Sequence, residues 1–282
     1  MAAARSIAAK VSLGETRMGL GFTSFGLRHL PGYPLDPFLN LDDFRMSEPT
    51  FPPHPHAGFS AVTYMFEDSP GAFVNRDSLG DRSRIGPGTL HWTQAAHGMM
   101  HEEVPERAGE VCHGLQMFVN LRSDHKNAAP AAFHVEAGDI PEVSLGEGAR
   151  VRVLAGEFAG RSALPELLTP IVFLDVHLGA WAEAVLPIAA ACCFLLVVSG
   201  GGTVGVDRTA IQAHDAVGLA ADGEDVVLAA GAGGLQLLLG AGRPIGEPVV
   251  FGGPFAMTTE RDLAAAKARY ARGEMGRLER SF

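Results

Sequence analysis

Two short histidine-containing stretches are the part of this sequence that could do chemistry. The first contains His54 and His56, and the second contains His101 and Glu103. In an extended chain, side chains two residues apart leave the same face roughly 7 Å apart, so each pair aims two donors into one space. Three imidazoles and one carboxylate would hold a divalent ion and leave one or two positions open for reactants. The spacing therefore predicts a mononuclear, reactive metal site.

Other histidines and carboxylates nearby in the sequence allow alternative sets of metal ligands. Most histidines, nine of eleven, lie in the first half of the chain, and His91, His97 or Glu102 could replace one member of the quartet. Asp42 and Asp43 form an acidic stretch after apolar residues, which is typical of a strand that ends in a turn. A metal-ligand role for either aspartate is the weaker interpretation.

The composition favours a fold in which many short strands are joined by turns. The 282 residues include 35 glycines and 18 prolines, and only 19% are charged. From Phe59 onward, runs rich in β-branched and aromatic residues alternate with turn residues about every ten positions, which predicts a β-sandwich or barrel. In a barrel, the residues between His56 and His101 can cross the sheets and return, bringing both pairs together.

A change in composition predicts two domains. Residues 128–140 are loop-like and contain two prolines, so we place the boundary there: residues 1–135 form a metal-binding barrel, and residues 136–282 form a second β-rich barrel with a helix at its end. The second half has only two histidines, far apart in sequence, and we expect it to lack a metal. Its predicted strands include 194–198, 202–206, 226–229 and 235–240.

The final helix has clear boundary signals. Thr259 can cap it, Glu260 and Asp262 lie in its first turn, and Gly273 can end it. Apolar residues follow at helical spacing. We expect this helix to pack on a sheet.

Charge and cysteine usage limit the classes of function. A net charge of -10 disfavours direct binding to nucleic acid, which requires a basic surface, so any regulatory role would act through a protein partner. Cys112, Cys192 and Cys193 are not spaced for metal binding, and we interpret them as buried, reduced thiols in a reducing compartment. Residues 1–21 show no secretory signal, and residues 184–199 are too short to span a membrane. We expect a soluble, cytoplasmic protein.

Several motifs occur in order from about Leu35 to the final helix, and together they resemble the pirin family of the cupin superfamily. They are His54-Pro55-His56-Ala57-Gly58-Phe59, Arg76-Asp77-Ser78-x-Gly80, Pro87-Gly88-x-Leu90-x-Trp92, Gly98-x-x-His101-x-Glu103-x-Pro105, Gly114-Leu115-Gln116-Met117-Phe118-Val119-Asn120-Leu121 and Gly252-Gly253-Pro254-Phe255.

The resemblance implies an all-β bicupin, with two facing cupin-type barrels and a short C-terminal helix. It implies one divalent metal in the N-terminal barrel, Fe(II) first and Mn, Ni, Co, Cu or Zn as alternatives, with His54, His56, His101 and Glu103 as ligands. It also implies activity of the quercetin 2,3-dioxygenase type, in which a flavonol ring is opened with O2. The alternative is a non-enzymatic redox sensor that acts through a protein partner.

In the enzymatic reading, Glu103 takes the proton of the flavonol 3-hydroxyl. Phe59, Met99 and Met100 either line an apolar substrate pocket or belong to the barrel core. Two residues depart from the family pattern: Asn75 stands where many relatives carry a histidine, and His97 stands where a basic residue is usual. These departures affect the expected choice of substrate rather than the metal ligands.

Overall fold

The computed structural model describes residues 3–164 and 167–282, and these residues are mainly β-structure. Met1, Ala2, Pro165 and Glu166 lie outside the described residues. The first strands in chain order are β1 Ile7–Ser12, β2 Glu15–Met18, β3 Phe22–Leu27, β4 Phe38–Met46, β5 His54–His56, β6 Phe59–Met65, β7 Phe73–Asp77, β8 Arg84–Ile85, β9 Leu90–Gln94, β10 Met99–Pro105, β11 Cys112–Asn120 and β12 Ala131–Val135.

The remaining elements are again strands, followed by one helix. They are β13 Glu142–Gly146, β14 Ala149–Phe158, β15 Arg161–Ala163, β16 Ile171–Leu178, β17 Glu183–Pro187, β18 Cys192–Val204, β19 Thr209–Gln212, β20 Asp215–Leu219, β21 Asp225–Gly242, β22 Val250–Phe251, β23 Ala256–Met257 and α1 Glu260–Ala271. The predicted all-β fold class is confirmed.

Backbone contacts divide the chain into two compact units, each named after one group of its buried side chains. The apolar unit comprises Met1–Gly14, Leu27–Pro37 and Ile140–Pro244. The histidine unit comprises Glu15–Gly26, Phe38–Asp139 and Ile245–Phe282.

The predicted division at residues 135/136 differs from these units at both ends of the chain. Strand β1 pairs with β20 of the apolar unit, with Ile7 opposite Leu219. Helix α1 belongs to the histidine unit, where its buried Leu263 and Ala266 pack with Ala57. Strand pairing and helix packing are long-range contacts, so a local change in composition does not report them.

The histidine unit contains two larger sheets that pack face to face. One has four strands in the order β5-β10-β7-β8, and the other has seven in the order β12-β9-β6-β11-β4-β3-β2. Phe44 of the larger sheet stacks on Phe73 of the smaller sheet with ring centroids 5.4 Å apart. Alternation along each strand points one set of side chains into the space between the sheets.

The apolar unit contains a ten-stranded sheet whose central path is β1-β20-β18-β21-β16-β14-β13. The strand predicted at 194–198 and the first three residues of the one predicted at 202–206 belong to the single strand β18, and those predicted at 226–229 and 235–240 are parts of β21. The predicted breaks between these strands contain glycines. These glycines lie instead at irregularities in long strands, such as the register shift between Gly200 and Gly202.

Helix α1 has the predicted N-terminal boundary. The Asp262 backbone N–H donates to the Thr259 hydroxyl at 3.1 Å, which is the bond of an N-cap. Gly273 follows the helix with φ +74°, a conformation that favours glycine. Among the residues that the structure describes, we find no helix with the length and apolarity needed to cross a membrane.

The three cysteines are buried free thiols, as predicted. Burial raises the pKa of Cys112, Cys192 and Cys193 to about 12, so each remains protonated and unreactive at neutral pH. The reducing compartment remains a prediction.

Candidate metal centre

The two histidine stretches are neighbouring strands. Strand β5 pairs antiparallel with β10, which places His56 opposite Met99 and His54 opposite His101. Two glycines beside these strands let other segments of the chain approach closely. Gly58 has φ +87°, and a side chain there would collide with the Ala256 carbonyl, while a Cβ on Gly98 would lie 2.7 Å from Met275.

The structure brings three of the four predicted ligands into one cluster. One ring nitrogen from each of His54, His56 and His101 lies within 4.8 Å of the others. The ring centroids are 4.6 Å apart for His54 and His101, and 4.8 Å apart for the other two pairs. His56 and His101 are buried and His54 is half-buried, so the cluster is reached from one side.

The donor arrangement suits a first-row divalent metal. His54 Nδ1 lies 2.9 Å from the Pro52 carbonyl oxygen and donates its proton there, so its Nε2 carries a free lone pair. The Nε2 atoms of His54 and His101 are 3.1 Å apart. Adjacent ligands of an ion bound at ~2.1 Å are separated by ~3 Å, so the residues present fit such an ion.

Burial keeps the imidazoles neutral. It lowers the pKa of His56 to about 3, and the nearby His54 contributes to the same shift. Burial, followed by the charges of His56 and His54, lowers the pKa of His101 well below its ordinary value. Neutral imidazole is the form that binds a metal, so the rings are in the required state at neutral pH.

Glu103, the fourth predicted ligand, is not among the three donors that lie within 4.8 Å of one another. It lies two residues after His101 on β10, and Thr63 Oγ1 donates to its Oε2 at 2.7 Å. Burial raises the pKa of Glu103 to about 7, although the bond from Thr63 acts in the opposite direction. The carboxyl group can therefore exchange a proton near neutral pH, as a general base requires.

Thr63 is a site residue that sequence reasoning missed. It lies on β6, in the sheet opposite Glu103, and Gln116 Nε2 donates to its hydroxyl at 3.3 Å. A single threonine in an apolar strand has no local signal of function. Only the packing of the two sheets places its hydroxyl against the carboxylate.

Aromatic side chains form the wall beside His56. Its ring centroid lies 5.0 Å from that of Phe59 and 5.3 Å from that of Phe118. Met99 is buried and alternates onto the same face of β10 as His101, whereas Met100 alternates onto the opposite face. The structure thus separates Met100 from the other proposed pocket residues.

The rival ligands have other partners. His91 Nδ1 lies 3.3 Å from His134 Nδ1, and Glu102 is bound by Arg76 on the outer face of β10. Asp43 Oδ1 lies 3.0 Å from His113 Nε2, and Asn40 Nδ2 donates to Asp42 at 3.3 Å. Because these side chains are engaged elsewhere, His54, His56 and His101 are the best candidates for the metal site.

The two departures from the expected pattern occupy different environments. Asn75 is fully buried opposite Glu103, and its Nδ2 donates to Asp81 Oδ1 at 2.7 Å. His97 lies in the turn before β10, where its carbonyl accepts a bond from Arg269 at 3.1 Å. Only Asn75 lies in the interior that contains the centre.

Comparisons with known proteins agree with this architecture. The family model Pirin matches residues 31–119, and the Pirin C-terminal cupin domain matches residues 173–276. A pirin-like protein from Solanum lycopersicum is 38% identical over 250 residues, covering 88% of this chain and 84% of that protein.

Solved structures with a similar fold cover most of this chain. A quercetin 2,3-dioxygenase from Acinetobacter baumannii superposes with a TM-score of 0.86 at 27% identity, covering 98% of this chain and 99% of that one. A bacterial pirin from Escherichia coli, solved in complex with nickel(II), superposes with a TM-score of 0.65 at 17% identity, covering 86% and 100%. The second likeness concerns the fold alone.

Proposed function

This chain belongs to the pirin family of cupin proteins, and we propose that it is a metal-dependent dioxygenase of the quercetin 2,3-dioxygenase type. The substrate would be a flavonol-like aromatic, opened with O2 to a depside and carbon monoxide. The observation that carries the proposal is the cluster of three neutral histidines beside a buried, proton-exchanging carboxyl group.

His54, His56 and His101 would hold the metal, and Glu103 would complete the set. Imidazole and carboxylate ligands with open positions are typical of non-haem Fe(II) oxygenases, so Fe(II) is the first metal to test, followed by Mn, Ni, Co, Cu and Zn. When bound, the metal supplies a Lewis acid that lowers the pKa of the substrate hydroxyl and a redox partner for O2.

The proton chemistry is assigned to Glu103. It takes the proton of the flavonol 3-hydroxyl through the oxygen that Thr63 does not hold. Because Thr63 already fixes Oε2 of Glu103, the other oxygen can face the substrate hydroxyl without further loss of conformational entropy of the Glu103 side chain. Phe59 and Phe118, whose ring centroids are 4.5 Å apart, exclude water on the His56 side.

The test combines metal content with turnover. Purified protein is analysed for bound metals, reconstituted without oxygen with each candidate ion, and assayed with quercetin for oxygen uptake and carbon monoxide release. We expect one metal per chain and turnover with at least one ion, both of which His56→Ala abolishes.

Stoichiometric, histidine-dependent metal without any turnover would contradict the enzymatic proposal. It would support the metal-dependent regulator acting through a protein partner. Absence of stoichiometric metal would contradict both.

A further inference from the structure

Three consecutive residues, Arg76-Asp77-Ser78, contact the strand that carries two of the proposed ligands. They end β7 and lie along β10, with Asp77 opposite His101 and Arg76 opposite Glu102. Ser78 continues the contact, because its backbone N–H donates to the Met100 carbonyl at 2.9 Å. The proposed reaction gives none of these three residues a role.

On the outer face of β10, the contacts are made by Arg76. Its Nε donates to Glu102 Oε2 at 3.2 Å, its Nη2 reaches the same oxygen, and Nη2 also donates to the Glu279 carbonyl at 2.8 Å. Glu102 is 0% exposed, and the Ser281 backbone N–H donates to its other oxygen at 3.4 Å. Arg76 and Ser281 thus fix the buried carboxylate of Glu102, which lies between the proposed ligands His101 and Glu103.

Ser78 makes a second outer contact. The Met100 backbone N–H donates to the Ser78 hydroxyl at 3.0 Å, and that hydroxyl donates to the Met275 carbonyl at 3.0 Å. The segment Met275–Ser281 therefore binds to β10 through Ser78 at one end and Arg76 at the other. Strand β5 contributes only three residue pairs to β10, so these contacts add substantially to what positions the strand.

On the inner face, Asp77 has one carboxylate oxygen engaged. Its Oδ1 accepts from the backbone N–H groups of Leu79 and Asp81, at 2.8 and 3.0 Å. Within the part of the chain that the structure describes, neither its buried Oδ2 nor the buried Nδ1 of His101 has a hydrogen-bond partner. Opposite residues of an antiparallel pair share a face with Cβ atoms about 5 Å apart, so this acceptor and this donor lie on neighbouring positions.

We propose that Arg76-Asp77-Ser78 positions the metal centre, with Arg76 and Ser78 holding β10 against Met275–Ser281 and Asp77 placing a carboxylate beside His101, where it accepts from Nδ1–H when Nε2 binds a metal. A carboxylate on the far nitrogen of a ligating histidine fixes the ring and makes the other nitrogen a stronger ligand. The inference rests on the metal centre of the proposed function. All three are positioning residues, since the argument gives none of them contact with the substrate.

The test is a Co(II) titration of the metal-free full chain, because the visible absorption of Co(II) reports both affinity and ligand geometry. Asp77→Asn keeps an acceptor for Leu79 and Asp81 but places an N–H donor toward His101. We expect it to weaken Co(II) binding about 10- to 100-fold and to change the spectrum. Arg76→Met should weaken binding several-fold.

The matched control is Arg84→Met. Arg84 lies on β8 of the same sheet and pairs with Glu106 at 3.1 Å, but its side chain is 58% exposed and away from the ligands. It should bind Co(II) like the wild type. Thermal unfolding of each metal-free variant separates a loss of positioning from a loss of fold.

Wild-type affinity and spectrum in both Asp77→Asn and Arg76→Met would overturn the inference. So would weakened binding that only parallels a lower melting temperature and leaves the spectrum unchanged. If Asp77→Asn does not fold, Arg76→Met and Ser78→Ala decide. Failure of the wild type to bind Co(II) would overturn the metal centre itself, whereas intact binding by the variants overturns only this inference.

Discussion

The interiors of the two units are lined by antiparallel strands of similar kinds, but the histidine unit places polar side chains beside its apolar clusters. In the apolar unit, Val151, Leu195 and Leu237 alternate inward from β14, β18 and β21 and belong to one aliphatic cluster. In the histidine unit, His101 and Glu103 alternate inward from β10. The two units thus have related folds, but one encloses an aliphatic core and the other also contains a polar site.

The difference has an energetic meaning. Aliphatic side chains gain free energy when they leave water, whereas imidazoles and carboxyl groups lose it unless they find partners. His56 is 5% exposed and His101 is 2% exposed, so both imidazoles have left water. Such a polar interior is retained at a cost to stability, which is typical of functional sites.

The largest expected effect is loss of metal from the histidine unit. His101→Ala removes a ligand on the central strand of the small sheet, and we expect bound metal to fall to background while the β-sheet circular dichroism is kept. Elemental analysis after dialysis measures this. His29→Ala, at an exposed position of the apolar unit, should retain full metal. Full metal content in His101→Ala would contradict the ligand assignment.

The second effect separates the proton acceptor from the metal ligands. Glu103→Gln keeps the shape of the side chain but cannot take a proton, so quercetin turnover should fall at least ~100-fold while part of the metal is retained. Oxygen uptake per bound metal is the measurement. Glu106→Gln, near the end of the same strand, serves as the control. Undiminished turnover in Glu103→Gln would remove its role as base.

The third effect belongs to the apolar unit. Leu237 is fully buried on β21, and Leu237→Ala should lower the free energy of unfolding by about 3 kcal/mol through lost burial and a cavity. Urea unfolding followed by circular dichroism measures the change. Val185→Ala, at a site that is 52% exposed, should change it by less than about 0.5 kcal/mol. Equal effects would show that the aliphatic cluster is not the source of stability.

The fourth effect is acid sensitivity confined to the histidine unit. Burial lowers the pKa of His91 to about 4 and of His56 to about 3, so the unfolded chain binds more protons than the folded chain below pH 6.5. Glu103, whose pKa is raised to about 7, acts in the opposite direction, because the folded chain binds its proton first. The two histidines outweigh it, so the stability of the metal-free protein should fall as pH decreases from about 6.5 to 4, by about 2 kcal/mol or more.

Tryptophan fluorescence can assign this loss to a unit. Trp92 is 1% exposed in the histidine unit, whereas Trp181 is 74% exposed in the apolar unit. In a Trp181→Phe background, the urea midpoint reported by Trp92 should decrease with acid, and His91→Gln should reduce the decrease. A pH-independent midpoint would contradict the explanation.

Local signals in the sequence were sufficient for several features. Alternation along a strand has a period of two whatever the partner strand, so His101 and Glu103 could be placed on one face before any pairing was known. The N-cap at Thr259 also depends on adjacent residues and was confirmed. The order of the motifs indicated the family, which the comparisons confirm.

Other features depended on which strands meet. The register of β5 on β10 brings His54 to His101, and the packing of two sheets brings Thr63 to Glu103. The same long-range contacts place β1 and α1 in units that the local composition did not indicate. Periodicity determines the face on which a side chain lies, whereas its partner depends on the free energy of contacts between residues far apart in sequence, which only the folded chain reveals.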